Sequence, residues 1–201
     1  MKLLRYESLT TEETLSRLKL TKRKGLGQPL IYQAASLRLV SNVPTNDLVP
    51  AQRYVLDENI NTMMDLYRQF LDKHVDIFHL TGAIFFWIER NGVEEGPIPL
   101  TPPIIETSTD NDGSPIWLIN DGMHRVTTAR CVGTSINIIL AENVPEEYPY
   151  YALPLKNRWR DVALLTTIPE GFVKKEYRDK DNYKALFRDF NAVFDGIQKT
   201  R

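Results

Sequence analysis

The residues with the clearest chemical potential are His124 and Arg125, which follow Asp121-Gly122 directly behind the apolar run Ile116-Trp117-Leu118-Ile119. An apolar run broken by Asn120-Asp121-Gly122 reads as a buried strand that turns sharply, and Met123 onward reads as the start of a helix. The first turn of a helix has backbone N–H groups without intrahelical partners and the positive end of the helix dipole. An anion is favoured there, and a His and an Arg in that turn close round it. Phosphate is the ligand this chemistry suits best. A plain Asp-Gly surface turn with an exposed His and Arg fits the spacing equally well.

Other residues are candidates by type. Arg53, on a loop or strand end after Val49-Pro50, is placed to reach a ligand. Arg158-Trp159-Arg160 interleaves bases with an aromatic; such a segment grips a phosphate and stacks on a base or sugar, or is a solvated stretch anchored by one core Trp. Lys22-Arg23-Lys24-Gly25 reads as a solvated helix end, and His74 and His79, five apart, as structural histidines rather than metal ligands. The single cysteine, Cys131, lies on an apolar helix face and reads as core; with no second Cys an internal disulfide is excluded.

The chain has 201 residues, 42% of them hydrophobic, enough for one domain with a large core or a domain plus an appendage. No apolar run reaches the ~18 residues of a membrane span and the start carries no signal peptide, so a cytoplasmic protein without membrane contact is expected. The net charge of -1 hides an uneven distribution, +5 over residues 1–38, -10 over 39–150 and +4 over 151–201. An acidic module around the His-Arg turn suits a small anion, with a divalent metal, better than a nucleic-acid groove.

The elements that must position these groups are legible in the periodicity. A helix is predicted from Thr11 to Leu20, a strand over Ala35–Val40, and a helix from Asp57 to about Lys73, where Ile60, Met63, Met64, Tyr67, Phe70 and Leu71 share a face. The run at 83–88 suits a strand or a helix end, and Glu94 to Pro99 reads as a loop. Strands at Pro103–Thr107 and 116–119 flank a hairpin turn at Asp110–Pro115. The His-Arg helix runs to about Cys131 and stops at Gly133 before a strand at Ser135–Leu140. Tyr183, Leu186, Phe187, Phe190, Val193, Phe194 and Ile197 predict a C-terminal amphipathic helix begun by Asp181-Asn182.

This order, together with Asp121-Gly122-Met123-His124-Arg125 and Ala129-Arg130-Cys131-Val132-Gly133, resembles the ParB/sulfiredoxin superfamily over about residues 36–143. The resemblance implies an α+β fold, a small mixed β-sheet with packed helices. Residues 75–101 are then an insertion, 1–35 an N-terminal extension, and 144–201 a C-terminal helical extension packed on the domain. It also implies nucleotide chemistry, since the superfamily includes ATP-using sulfiredoxins, CTP-binding partition proteins, ParB-like nucleases and kinases of free serine. Gly122, His124 and Arg125 would contact phosphates, Asp121 would hold a metal or orient a hydroxyl, and Thr62 would touch the base. Sulfiredoxins carry a catalytic Cys where this chain has Met123, which argues against reductase chemistry. Free-serine kinases carry a catalytic Glu where this chain has Gln52, which leaves Asp57, Glu58 or Asp121 as bases. No recognition helix is evident after residue 140.

The expected function is a phosphotransferase, or a nucleotide hydrolase, using ATP, ADP or CTP with magnesium. Asp121, His124 and Arg125 would be catalytic, Arg53 would face them, and Arg158, Trp159 and Arg160 would shape the pocket for a small-molecule acceptor. A DNA-associated ParB-like nuclease or nucleotide-switched DNA-binding protein is the alternative, with DNA the less favoured partner, and a non-catalytic ligand-binding module is a further one.

Overall fold

The computed structural model describes residues 1–25, 27–110, 112–194 and 196. The chain begins with β1 (Lys2–Ser8) and α1 (Thr11–Leu18). Thr10 starts α1 with a capping box: its hydroxyl accepts from the Glu13 N–H while the Glu13 carboxylate accepts from the Thr10 N–H. The basic run after α1 is not a helix end, because Lys22–Arg23 form the short strand β2. Then come β3 (Ser36–Val43), a 3-10 turn at Thr45–Asp47, β4 (Leu48–Val49), β5 (Tyr54–Leu56) and α2 (Asp57–Leu71).

The middle of the chain continues with β6 (Ile84–Arg90), β7 (Val93–Leu100), β8 (Ile104–Thr109), β9 (Pro115–Asp121), α3 (Met123–Val132) and β10 (Ile136–Glu142). The C-terminal part adds β11 (Ala163–Leu165), β12 (Arg188–Asp189) and short 3-10 turns.

The main sheet has the order β3-β10-β8-β9-β4, with β10 parallel to β8, β4 parallel to β9, and the other two pairings antiparallel. The inner strand β10 reads Ile-Asn-Ile-Ile-Leu-Ala because it is covered on both faces, every residue from Ile136 to Ala141 being buried. Helices α2 and α3 pack together on one face, where Ile60, Leu66 and Phe70 meet Val126, Ala129, Ile119 and Ile138. The α+β class read from the sequence is the observed one.

Two expectations are corrected, the loop at 94–99 and the C-terminal helix. Residues 94–99, read as a loop, belong to β7, an outer strand paired only with β6; an edge strand tolerates Pro97 and Pro99 because it has no second ladder to feed. Together β6 and β7 join β1 in a three-stranded sheet, so the expected insertion and the start of the expected N-terminal extension form one unit. Residues 183–192 are not an amphipathic helix but two 3-10 turns with β12 between them, and Ile197 lies outside the described residues. The apolar spacing was real but serves two pockets. Leu186 and Phe187 enter a cluster with Tyr150 and Tyr151, while Phe190 and Phe194 enter another with Tyr32, Ile104 and Ile139.

What holds the C-terminal segment down is a buried ion pair. Arg188, 1% exposed, donates from Nε and Nη2 to the two carboxylate oxygens of Glu106 on β8, each at 3.0 Å, and its other N–H groups reach the carbonyls of Tyr148, Pro149 and Leu186. Tyr32 and Asn120 also donate to Glu106, at 2.6 and 2.5 Å. Two strand pairs, β11 with β5 and β12 with β2, stitch the same segment to the front of the chain.

Removing one partner of such a pair leaves the other charge buried and unpaired, a cost of about 3–5 kcal/mol. Arg188→Ala is expected to lower unfolding free energy by that amount in urea titration, with Glu106→Gln close to it. Burial, then the Glu106 carboxylate, pushes the Tyr32 phenol well above its usual 10. The folded state holds that proton to higher pH than the unfolded chain does. Its contribution is complete below about pH 10 and is lost as pH rises beyond it. Comparing urea midpoints at about pH 8 and about pH 11 should give a smaller alkaline loss in Tyr32→Phe than in the parent.

Candidate functional site

Strand β9 delivers Asp121 to the surface end of the main sheet, and Gly122 turns the chain into α3 at φ +93°. Glycine is required twice over. The dihedral is left-handed, and a Cβ here would lie 2.8 Å from Pro103 Cβ and 2.9 Å from Arg125 Nη2. No side chain caps this end of α3, so its first-turn amides face outward at the positive pole of the helix. At the other end Gly133, also left-handed, closes the helix.

Arg125 does not project as a free arm. It is 5% exposed, and its guanidinium folds back to Asp121 Oδ2 at 2.6 Å and to the Thr101 hydroxyl at 3.2 Å. Asp121 is thereby held in an i,i+4 ion pair across the turn. The pair braces the loop, so the carboxylate expected to bind metal is already engaged by a cation. His124 is half-buried, and its Nε2 accepts from the Asn59 amide of α2 across 3.5 Å.

The turn opens into a cleft of about 640 Å³, within the ~300–1,000 Å³ usual for small-molecule sites. One wall is Asn59, Thr62 and Met63 of α2 with Asp121, Gly122, Met123, His124 and Arg125. The opposite wall comes from the C-terminal segment: Tyr151, Tyr177, Tyr183 and Phe187 with Lys174, Lys175 and Lys184. The rings are packed on each other, Tyr177 on Tyr183 at 3.8 Å and 22°, and Tyr151 with Phe187 at 4.6 Å. Lys175, 8% exposed, donates to the hydroxyls of Tyr150 and Tyr151 at 2.6 and 2.5 Å. Among the described lining side chains the cations outnumber the carboxylates.

Several sequence-based candidates lie elsewhere. Arg53 is exposed and stacks over Phe172, outside the cleft. Arg158 pairs with Asp110 at 2.5 Å, and the Trp159 indole N–H donates to the carbonyls of Thr45 and Leu48 beneath the Arg130 guanidinium. Trp159 is thus an anchor for the 3-10 turn at Arg158–Asp161, which presents Arg160 to solvent away from the cleft. Thr62 lines the cleft, but its hydroxyl donates to the Glu58 carbonyl one turn back. Gln52 lines the cleft with its amide donating to the Tyr54 carbonyl, whereas Asp57 and Glu58 do not line it. Cys131 is exposed rather than core, because the last turn of α3 emerges from the fold. His79 bridges Asp76 and Ser135, as expected of a structural histidine. Among the described residues no group of three or more His, Cys, Asp or Glu is set to share a metal, and no helix is long and apolar enough to cross a membrane.

Sequence reading missed the second wall. Lys174-Lys175-Glu176-Tyr177 and Tyr183-Lys184 show the same base–aromatic interleaving as Arg158-Trp159-Arg160, but the latter part had been absorbed into a helical stripe.

A turn of this form between β9 and α3, in a mixed sheet of this order, is what the ParB/sulfiredoxin resemblance requires, and a family profile decides it. The ParB CE domain matches residues 13–163, three-quarters of the chain. The chain belongs to the ParB CE domain family. No curated protein matches the sequence significantly. The ParB CE match runs from within α1 to the first residue of β11, and so includes the turn, α2 and Tyr151; it ends before the lysines and the remaining rings of the second wall.

The two residues after Met123 have different tasks, which stability measurements separate. Arg125→Leu leaves Asp121 part-buried without its cation and is expected to cost about 3 kcal/mol, whereas His124→Ala should stay within about 1 kcal/mol of the parent. Gly122→Val should cost about 1–3 kcal/mol through its dihedral alone. Urea unfolding monitored by tryptophan fluorescence reads all three.

Proposed function

We propose that this ParB CE protein binds a nucleotide in the cleft, with phosphates at the start of α3, and acts as a phosphotransferase toward a small-molecule hydroxyl. The carrying observation is an uncapped helix N-terminus, braced by the Asp121–Arg125 pair, that opens with His124 into a cleft whose other wall brings three lysines. Phosphoryl transfer asks a protein chiefly for positioning and charge neutralisation. Here the backbone amides of α3 and the lysines supply the positive charge, and His124 serves as the base. ATP, ADP or CTP is the donor. Magnesium would enter with it and neutralise phosphate charge, and Asp121, the one carboxylate among the described lining residues, is already engaged by Arg125.

In the transfer, the acceptor oxygen bonds to the terminal phosphorus as the bridging P–O bond breaks. The nucleotide leaves with that electron pair, and the acceptor's proton passes to His124. Neither Asp57 nor Glu58 serves as base in this scheme, since neither lines the cleft. A DNA-associated role is the second reading, supported by family membership and by the basic C-terminal segment.

Calorimetric titration of the full chain with ATP, ADP and CTP, with magnesium, tests the first reading. Binding is expected, and His124→Ala should weaken it roughly 10- to 100-fold, the value of one charge-assisted hydrogen bond. No heat with any of the three at millimolar nucleotide ends the proposal. Duplex binding that falls steeply with salt, without nucleotide binding, would favour the second reading.

A further inference from the structure

We infer that the nucleobase is held by the C-terminal segment rather than by α2, stacked on the ring cluster of Tyr151, Tyr177, Tyr183 and Phe187, with Lys174 and Lys184 drawing in the phosphate chain from the side opposite His124. This rests on nucleotide binding in the cleft and adds to it the surface that recognises the base. Four observations carry it. The four rings all line the cleft and are already assembled: Tyr177 and Tyr183 lie nearly parallel, Tyr177 stacks toward Tyr151 at 6.3 Å and 23°, and Phe187 meets Tyr183 edge-on at 5.8 Å. Lys175 fixes Tyr151 by its hydroxyl, so the platform needs little ordering on binding. Lysines flank the rings in sequence on both sides, as a ligand with a flat apolar end and a polyanionic end requires. On the other wall Thr62 spends its hydroxyl proton on its own helix.

A stacking platform without a fixed pattern of donors toward the base edge tolerates every base and favours the larger purines. All of these residues except Tyr151 lie beyond residue 163, so the ParB CE match does not specify them. Base recognition is then a property that lies mostly outside the region matched by the family.

The test compares ATP and CTP with inorganic tripolyphosphate, which has the charge and no base, by calorimetry on the full chain. ATP should bind more tightly than tripolyphosphate. Tyr183→Ala should weaken ATP about tenfold or more and leave tripolyphosphate unchanged, and Tyr183→Trp should retain ATP affinity. Lys184→Glu should weaken both. Equal affinity for ATP and tripolyphosphate in the parent overturns the inference, as does a loss of tripolyphosphate binding in Tyr183→Ala. A loss of ATP alone in Thr62→Val returns the base to α2 and overturns it too. ATP binding that depends on His124 but is unchanged by removal of any ring removes only the base platform; absence of binding by all three probes removes the nucleotide reading with it.

Discussion

The Glu106–Arg188 pair is the constraint on which the rest depends. A carboxylate in the middle of a central strand, 3% exposed, demands a cation, and the cation that the sheet itself carries, Arg38 on β3, is paired with Glu142. The cation arrives from 82 residues away in sequence and brings the C-terminal segment with it. Burial alone would lower the basicity of the guanidinium; the opposing Glu106 carboxylate and the tyrosine hydroxyls around it raise it instead, so Arg188 stays charged at any pH at which the protein folds. Because Asn120 and Tyr32 share the same carboxylate, and Tyr150 donates to the Asn120 carbonyl, the network ends one residue short of Asp121. The turn that starts α3 and the wall that faces it are thus held by one buried polar cluster.

The two walls are stabilised by different physics. Asp121 and Arg125 brace the turn locally, four residues apart, with Gly122 leaving the room their ion pair needs. The opposite wall has no regular helix. It relies on Arg188, on two short strand pairs and on aromatic packing, each making contact with a distant part of the chain. A local brace survives loss of distant contacts, whereas a strap held at a few points opens as a unit.

That difference explains what the sequence made legible. The turn, α2 and the strands of the main sheet are written in local signals: an apolar run of strand length, an Asp-Gly break, a stripe at helical period, a stop glycine. The C-terminal segment carried a helical stripe as regular as that of α2, yet Arg188 sits in its midst and is buried deeper than Leu186 or Phe190 on either side. Periodicity registers that residues are apolar, not that they enter two pockets. Nor does it register that the cation between them answers a carboxylate on β8. Trp159 was visible as an aromatic among bases, but its indole N–H belongs to carbonyls more than a hundred residues earlier, which no local pattern encodes. The second wall went unread for the same reason.

On the proposal that a nucleotide lies between the two walls, ligand binding is linked to the docking of the C-terminal segment. A ligand lying between the walls touches both a braced turn and a strap, and binds only when the strap is docked. At a hundredfold excess over its dissociation constant such a ligand adds about 2.7 kcal/mol to the docked state. That is comparable with what the loss of a buried ion pair takes away. The buried carboxylate, costly to desolvate and poor as a source of net stability against an apolar core, gains a reason for its place. It ties formation of the second wall to one specific cation, Arg188, whose guanidinium meets both carboxylate oxygens of Glu106.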